Sequence, residues 1–135
     1  MANTNTLSTL MTSPGNVLRY INIDSDGTEE TDLVVYDSSV IATALGLTDT
    51  LMCHILSIYA TVSAAATARV ELRFDATTDV LALDIPVGQV VDKNFRYVGG
   101  LENRGGSGIT GDITLTTTGL ESGDNITLIL EVKPS

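Results

Sequence analysis

The alternation of apolar and polar residues over residues 51–74 constrains the fold of this chain more than any other stretch. Met52–Ser63 and Thr67–Phe74 each repeat with a period of two, which is typical of a β-strand with one buried face. The small residues Ala64–Ala66 join them, so the sequence predicts a hairpin at the centre of an antiparallel sheet. We expect one set of side chains in the first strand to face inward: Met52, His54, Leu56, Ile58, Ala60 and Val62.

Similar segments, separated by turn signals, recur on both sides of this pair. The further predicted strands are Val17–Ile23, Asp32–Tyr36, Val80–Ile85, Asn94–Val98, Asp112–Thr118 and Asn125–Lys133. A short helix is predicted over Ser39–Leu45, because Asp37 or Ser38 can cap its start and Gly46 can end it. No helical patterns alternate with the strands, which excludes a parallel α/β sheet.

Eight short antiparallel strands with one helix near residues 39–45 predict an all-β sandwich, and a jelly roll is the commonest eight-stranded version. An immunoglobulin-like sandwich is the alternative, but the chain has no tryptophan and no cysteine pair to support it. Residues 1–16 are polar and aperiodic. We expect them to form a flexible N-terminal arm that orders only against a partner, or a disordered tail, with residues 17–135 as a single β-sandwich domain.

The charge balance excludes several classes of partner. Seventeen acidic against seven basic residues give a net charge of −10, which repels phosphate backbones and anionic membranes. We therefore expect neither a nucleic acid nor a membrane as a partner. No apolar run approaches the roughly 18 residues of a spanning helix. No lysine or arginine precedes Arg19, and no apolar signal segment is present, so we expect synthesis in a cytoplasm without export.

Catalytic chemistry has little support in the sequence. Cys53 and His54 are the only cysteine and histidine, and adjacent strand residues point to opposite faces. We expect Cys53 to be a small buried hydrophobe and His54 a core histidine. No nucleophile-elbow motif occurs, and no pair of carboxylates stands out. The sequence therefore predicts a protein that is not an enzyme and that needs no cofactor or metal. The aromatic residues are few for a sugar-stacking platform, although four tyrosines could contribute: Tyr20, Tyr36, Tyr59 and Tyr97.

Two loops could bind ligands or partners. Asp24–Asp32 resembles a calcium loop in its alternating acids, but its glycine and later acids are out of register, which favours a solvated hairpin tip and leaves cation binding open. Gly99–Gly111 lacks the strand-then-helix context of a phosphate loop, which favours a flexible glycine-rich loop. An alternative is that this loop lies against a partner, with Arg104 reaching an acidic group.

Several side chains are candidates for partner contact. Arg69, Glu71 and Arg73 alternate outward from the second strand, where we favour ion pairs within the sheet over pairs with a neighbouring subunit. The full set of candidate contact residues is Leu7, Leu10, Met11, Arg69, Glu71, Arg73, Arg96 and Arg104.

Three segments, Thr31–Val40, Ser63–Leu72 and Gly108–Gly119, give the chain a family resemblance. Over residues 17–133 it resembles small virion proteins of tailed bacteriophages, including the head decoration, or cementing, proteins. The resemblance implies a protein on the outside of the virion capsid that clamps neighbouring major capsid protein subunits, often as a homotrimer. It carries no catalytic residues. The alternatives are a carbohydrate-binding β-sandwich and an adhesion module of the tail or neck.

Overall fold

The computed structural model describes residues 3–12, 16–46, 53–65, 67–102 and 107–134, except for the side chains of residues 11 and 12. These residues form two antiparallel sheets and one short α-helix, α1, at Ser38–Leu45. Sheet A contains β1 (Thr4–Thr12), β2 (Val17–Asp26), β4 (Cys53–Ser63), β7 (Val90–Asn94), β8 (Leu101–Glu102) and β10 (Ser122–Pro134). Sheet B contains β3 (Leu33–Tyr36), β5 (Arg69–Phe74), β6 (Val80–Ile85) and β9 (Ile113–Thr118). The all-β prediction is therefore confirmed.

The order of the strands defines a jelly roll. Sheet A runs β1-β2-β10-β4-β7, with the short β8 also pairing with β4, and sheet B runs β3-β9-β5-β6. Without β1 and β8, each sheet has four strands, and the chain repeatedly crosses from one sheet to the other, as in a double Greek key. The predicted eight-stranded jelly roll is present, and β1 and β8 are additions to it.

The predicted central hairpin is wrong in one respect. β4 and β5 follow one another in the chain, but β4 pairs with β10 and β7 in sheet A, while β5 pairs with β6 and β9 in sheet B. The connection after Ser63 therefore crosses between sheets rather than turning within one. Alternation fixes which residues are buried, but both arrangements bury the same faces, so the local pattern does not distinguish them.

The core lies between the two sheets. Each sheet contributes aliphatic side chains that are at most 1% exposed, such as Ile21, Ile58 and Leu128 from sheet A and Leu72 and Leu115 from sheet B. Complete burial of one such side chain contributes about 1.5–3 kcal/mol, and this burial is the main term that stabilises the sandwich. The outer faces are then free to differ from each other in chemistry.

A β-bulge changes the predicted inward face of β4. Ser57 lies opposite Glu131 and Ile55 lies opposite Val132, so Leu56 is one extra residue on β4. The extra residue shifts the alternation, and Cys53 and Ile55 point inward with 3% and 0% exposure. His54 is consequently on the outer face rather than in the core. The prediction that Cys53 is a buried hydrophobe is confirmed, and burial raises the pKa of its thiol to about 12.

Two further segments differ from expectation. Thr4–Thr12 lies within the predicted flexible arm but forms β1, an edge strand paired with β2. Threonine has a high β-propensity, but the threonines of this strand do not produce a clear alternation of apolar and polar residues. The sequence pattern therefore did not predict β1. The predicted strand Asn94–Val98 is instead the end of β7 followed by a 3₁₀ helix at Arg96–Val98.

Polar contacts near α1 cap the helix and join the two sheets. The Asp37 carboxylate accepts hydrogen bonds from the backbone N–H groups of Ser39 and Val40 at 3.1 and 3.3 Å, and so caps the helix. Arg19 donates from Nε to the Val35 carbonyl at 2.9 Å, which bridges the two sheets. Burial raises the pKa of Asp112, whose carboxylate accepts the N–H of Ser38 at 2.8 Å.

No described helix is long and apolar enough to cross a membrane.

Candidate functional site

The outer face of sheet A brings distant parts of the sequence into rows that run across the strands. Tyr20 on β2 lies opposite Ile129 on β10, and Ile129 lies opposite Tyr59 on β4. Ile21 and Ile58 point into the core, so the alternating Tyr20 and Tyr59 are on the opposite face. The row continues at both ends with Ser8 and Asp92. We call Ser8, Tyr20, Ile129 and Tyr59 the tyrosine row.

The next row along the same face is polar. Asn22, Thr127 and Thr61 lie opposite one another on β2, β10 and β4, and Thr6 extends the row onto β1. Nδ2 of Asn22 donates to Oγ1 of Thr127 at 3.0 Å, and Oγ1 of Thr127 donates to the amide oxygen of Asn125 at 3.2 Å. We call Thr6, Asn22, Thr127 and Thr61 the polar row. The polar row contains no charged residue, and the tyrosine row is uncharged from β1 to β4 and ends at Asp92 on β7, although the chain has a net charge of −10.

On the other side of the tyrosine row, three side chains converge on Glu131. Ser57 donates to Oε1 at 3.0 Å, Asn16 donates to Oε2 at 2.5 Å, and the Arg96 guanidinium forms an ion pair with Oε1. The Glu131 side chain is only 13% exposed, so these donors replace most of its water. Arg96, which the sequence predicts to contact a partner, therefore forms an ion pair within the chain. Its partner, Glu131, was not among the residues that the sequence singled out.

His54 belongs to the same face. Its Nε2 lies 2.6 Å from Oε2 of Glu102 on β8, and both side chains are about one-fifth exposed, at 21% and 18%. Gly100 permits this approach, because a Cβ there would lie 2.9 Å from the His54 Cβ. The pairing of β8 with β4 supplies the carboxylate partner that the sequence spacing did not reveal. No group of three or more metal-ligating residues occurs among the described residues.

The outer face of sheet B carries the predicted charged row. Arg69 pairs with Asp84 on the adjacent strand β6 at 3.3 Å, and Arg73 pairs with Glu71 along β5 at 2.9 Å. The prediction of ion pairs within the sheet is thus confirmed. The side chains of Arg69 and Asp84 are 60% and 52% exposed, which leaves this pair in water. A shallow depression of about 370 Å³ lies beside it, between the end of β6 and the start of β5.

The predicted N-terminal contacts lie on β1. Leu7 packs against the core, whereas Leu10 is the extra residue of a β-bulge and is 56% exposed. The backbone of Met11 pairs with Leu18, but its side chain lies outside the described residues. Arg104 also lies outside them, so the contact predicted for it stays a prediction.

The carboxylates of the acidic loop are engaged in hydrogen bonds within the chain. The Glu29 side chain accepts the backbone N–H groups of Gly119 and Leu120. Glu30 accepts a hydrogen bond from the Asn5 amide at 3.0 Å. These bonds join the loop to β1 and to the turn before β10. The predicted solvated hairpin tip is wrong, because β2 pairs with β1 and β10 in sheet A while β3 pairs with β9 in sheet B. The loop is a connection between the two sheets, and its acids hold it in place.

Comparison with known proteins gives a distant structural likeness. No family model matches the sequence, and no curated protein matches it. Among solved structures, the chain is similar to a RmlC-like cupin family protein with a double-stranded β-helix fold from Methanocaldococcus jannaschii. The two are 10% identical, the TM-score is 0.36, and the match covers 98% of this chain and 82% of that chain.

Proposed function

We propose that this protein is a structural virion protein that binds the outside of a phage capsid and stabilises contacts between major capsid protein subunits. The proposal combines the family resemblance with one structural observation, the long edge of β1 that carries no charge and no proline. The partner would be the major capsid protein, and the working assembly would be a homotrimer on the capsid surface.

The edge of β1 differs from the other described sheet edges. Its nine residues contain no charge and no proline. By contrast, β7 carries Asp92 and Lys93, β6 carries Asp84 and is followed by Pro86, and β3 is only four residues long. Short length, charge, proline and β-bulges are the usual means by which proteins block pairing at an edge. β1 lacks the first three, and its bulge at Leu10 leaves Thr4–Thr9 in regular register, which favours pairing of that part with an added strand.

Side-chain contacts with the rest of the chain keep β1 in place at the edge of sheet A, where such pairing would occur. Leu7 packs against the core, Asn5 is bonded to Glu30, and Arg19 donates from Nη1 to Thr9 Oγ1 at 2.7 Å. An extended segment of a capsid subunit could add to the free edge through backbone hydrogen bonds, with Leu10 as an apolar contact beside it. Repetition over a lattice then gives strong overall attachment from individually weak contacts.

Leu10→Lys tests this proposal by placing a charge on the edge. Leu81→Lys is the matched control, because Leu81 is similarly exposed, at 46% against 56%, but lies on the edge strand of sheet B. Purified capsid shells lacking the protein are mixed with each variant, and bound copies are counted by electron microscopy and quantitative gels. We expect binding by the unmodified chain and Leu81→Lys, and a loss of binding by Leu10→Lys.

Two results would contradict the proposal. One is an unmodified chain that is absent from the head surface or found only on the tail or neck. The other is a copy number that does not scale with the number of capsid subunits. Equal loss of binding in both lysine variants would instead mean that the loss is not specific to β1, and the contact would no longer be assigned to that strand. Light scattering on the isolated protein tests the homotrimer separately.

A further inference from the structure

Two tyrosines that are far apart in the sequence share one exposed row of sheet A. Tyr20 and Tyr59 flank Ile129, and each is one strand away from it. Neighbouring strands are separated by 4.7–4.9 Å, so the two tyrosine backbones lie about 10 Å apart across the sheet. Tyr59 is 42% exposed, and Tyr20 and Ile129 are partly exposed. Together they make a flat apolar strip about as long as a disaccharide.

Hydrogen-bonding groups run parallel to this strip in the polar row. The bonds from Asn22 to Thr127 and from Thr127 to Asn125 fix the amide and hydroxyl groups before any ligand arrives. Fixed groups bind at a lower entropic cost than mobile ones. At the β4 end of this row, Thr61 lines a depression of about 200 Å³ together with Ser63, Gln89 and Val90. A ligand on the strip therefore meets amides and hydroxyls along one side.

This combination fits the chemistry of sugars. A pyranose ring offers a C–H face that packs on aromatic or aliphatic side chains, and hydroxyls around its rim that bond to amides and hydroxyls. We infer that the outer face of sheet A binds a neutral oligosaccharide chain across the tyrosine row and the polar row.

The charges around the site disfavour an acidic ligand. Asp92 continues the tyrosine row, and Asp24 lies one row beyond Asn22 on β2. With a net charge of −10 on the whole chain, acidic glycans such as polyuronates are repelled. A flat face with no deep pocket among its described residues also suits a chain ligand, which spreads its contacts over several sugar rings.

The experiment uses the full chain and defined probes. Cellohexaose, maltohexaose, chitohexaose and the acidic control hexagalacturonate are titrated, and tyrosine fluorescence and titration calorimetry report binding. The chain contains no tryptophan, so its intrinsic fluorescence comes from its four tyrosines. We expect at least one neutral hexasaccharide to bind and hexagalacturonate not to bind.

Tyr59→Ala and Tyr20→Ala identify the site. We expect each to weaken binding by about tenfold or more, which is the scale of an aromatic anchor at a binding surface. Tyr97→Ala is the control, because Tyr97 is 84% exposed but lies in the 3₁₀ helix outside the row. Thermal melting confirms that each variant is folded, and Thr61→Val tests the polar row without removing an aromatic ring.

The inference is overturned if none of the neutral probes binds, if hexagalacturonate binds as well as they do, or if Tyr97→Ala weakens binding as much as Tyr59→Ala. It does not depend on the capsid proposal, since it concerns the face of sheet A rather than the edge of β1. Capsid binding that survives Tyr59→Ala, with sugar binding lost, would separate the two functions.

Discussion

The outer faces of the two sheets treat charge in different ways. On sheet A, one carboxylate, Glu131, is surrounded by three donors and kept from water, and the only charge in the adjacent two rows is Asp92 at the β7 end of the tyrosine row. On sheet B, Arg69 and Asp84 form an ion pair that remains mostly in solvent, and the buried Glu71 forms a single ion pair with Arg73. Sheet A therefore gathers several donors around one carboxylate, whereas sheet B pairs its charges one to one. Three changes test this comparison, and a fourth tests Asp112, which lies on neither outer face.

The largest expected effect is from Glu131→Ala. Removing this carboxylate leaves Ser57, Asn16 and Arg96 without their shared acceptor, and we expect a loss of about 2–3 kcal/mol in the free energy of unfolding. Glu71→Ala is the matched control on sheet B. Its side chain is equally buried, at 12% against 13%, but its bond to Arg73 is a single ion pair.

Urea unfolding of both variants measures this difference. We expect Glu71→Ala to cost about 1 kcal/mol or less. Equal losses in the two variants would show that burial of the carboxylate, rather than the number of donors around it, decides its contribution.

Gly100→Ala tests the close approach of the chain to β4 on sheet A. The residue has φ of +93°, and a Cβ would lie 2.9 Å from the His54 Cβ, so we expect a loss of about 2 kcal/mol. Gly123 has nearly the same φ, +94°, with nothing within 4 Å of the added atom. Gly123→Ala therefore measures the backbone strain alone, and thermal melting should show a smaller loss for it. Equal losses would remove the contact with His54 from the explanation.

A pair of double-mutant cycles compares one ion pair from each face. We expect a coupling energy of about 1 kcal/mol between Arg96 and Glu131, and less than about 0.5 kcal/mol between Arg69 and Asp84, which are mostly solvated. Raising the salt concentration should reduce the second coupling more than the first. A stronger coupling on sheet B would reverse the comparison.

The smallest effect concerns a charge that belongs to neither outer face. Burial raises the pKa of Asp112 above its ordinary 3.8, so the folded state holds this proton more tightly than the unfolded state does. Its contribution to stability is therefore present below pH 3.8 and is lost as the pH rises through the raised value. Asp112→Asn keeps an oxygen for the N–H of Ser38 and removes the charge.

We expect Asp112→Asn to be slightly more stable than the unmodified chain at pH 7. The advantage should shrink as the pH falls through the raised pKa towards 3.8. Unfolding curves at several pH values between 3.5 and 7 measure it. A variant that is less stable at pH 7 would mean that the ionised carboxylate is better satisfied by its neighbours than its burial indicates.

Much of the fold could be predicted because alternation is a local property. The burial of Val70, Leu72 and Phe74, the Asp37 cap and the end of α1 at Gly46 all depend on neighbours in sequence. The assignment of β4 and β5 to different sheets could not be predicted, because strand pairing depends on contacts between distant segments of the chain. The outward position of His54 has a similar origin, because the extra residue Leu56 is defined only by the register with β10.

The candidate site was less accessible to sequence reasoning than the fold. Tyr20 and Tyr59 were visible as individual residues, but only the pairing of β2 and β4 with β10 places them in one row. The same holds for the three donors around Glu131. The signal that could have found them is the outward position of each residue in its own strand, combined with a known strand order.

The burial of Cys53 makes this residue a reporter of local opening in sheet A. It is the only cysteine, it is 3% exposed, and its thiol has a pKa of about 12, so the closed protein presents almost no thiolate at neutral pH. A thiol-reactive dye can therefore label it only when the end of β4 separates from β10. The labelling rate would report how often that end of sheet A opens, without any substitution in the chain.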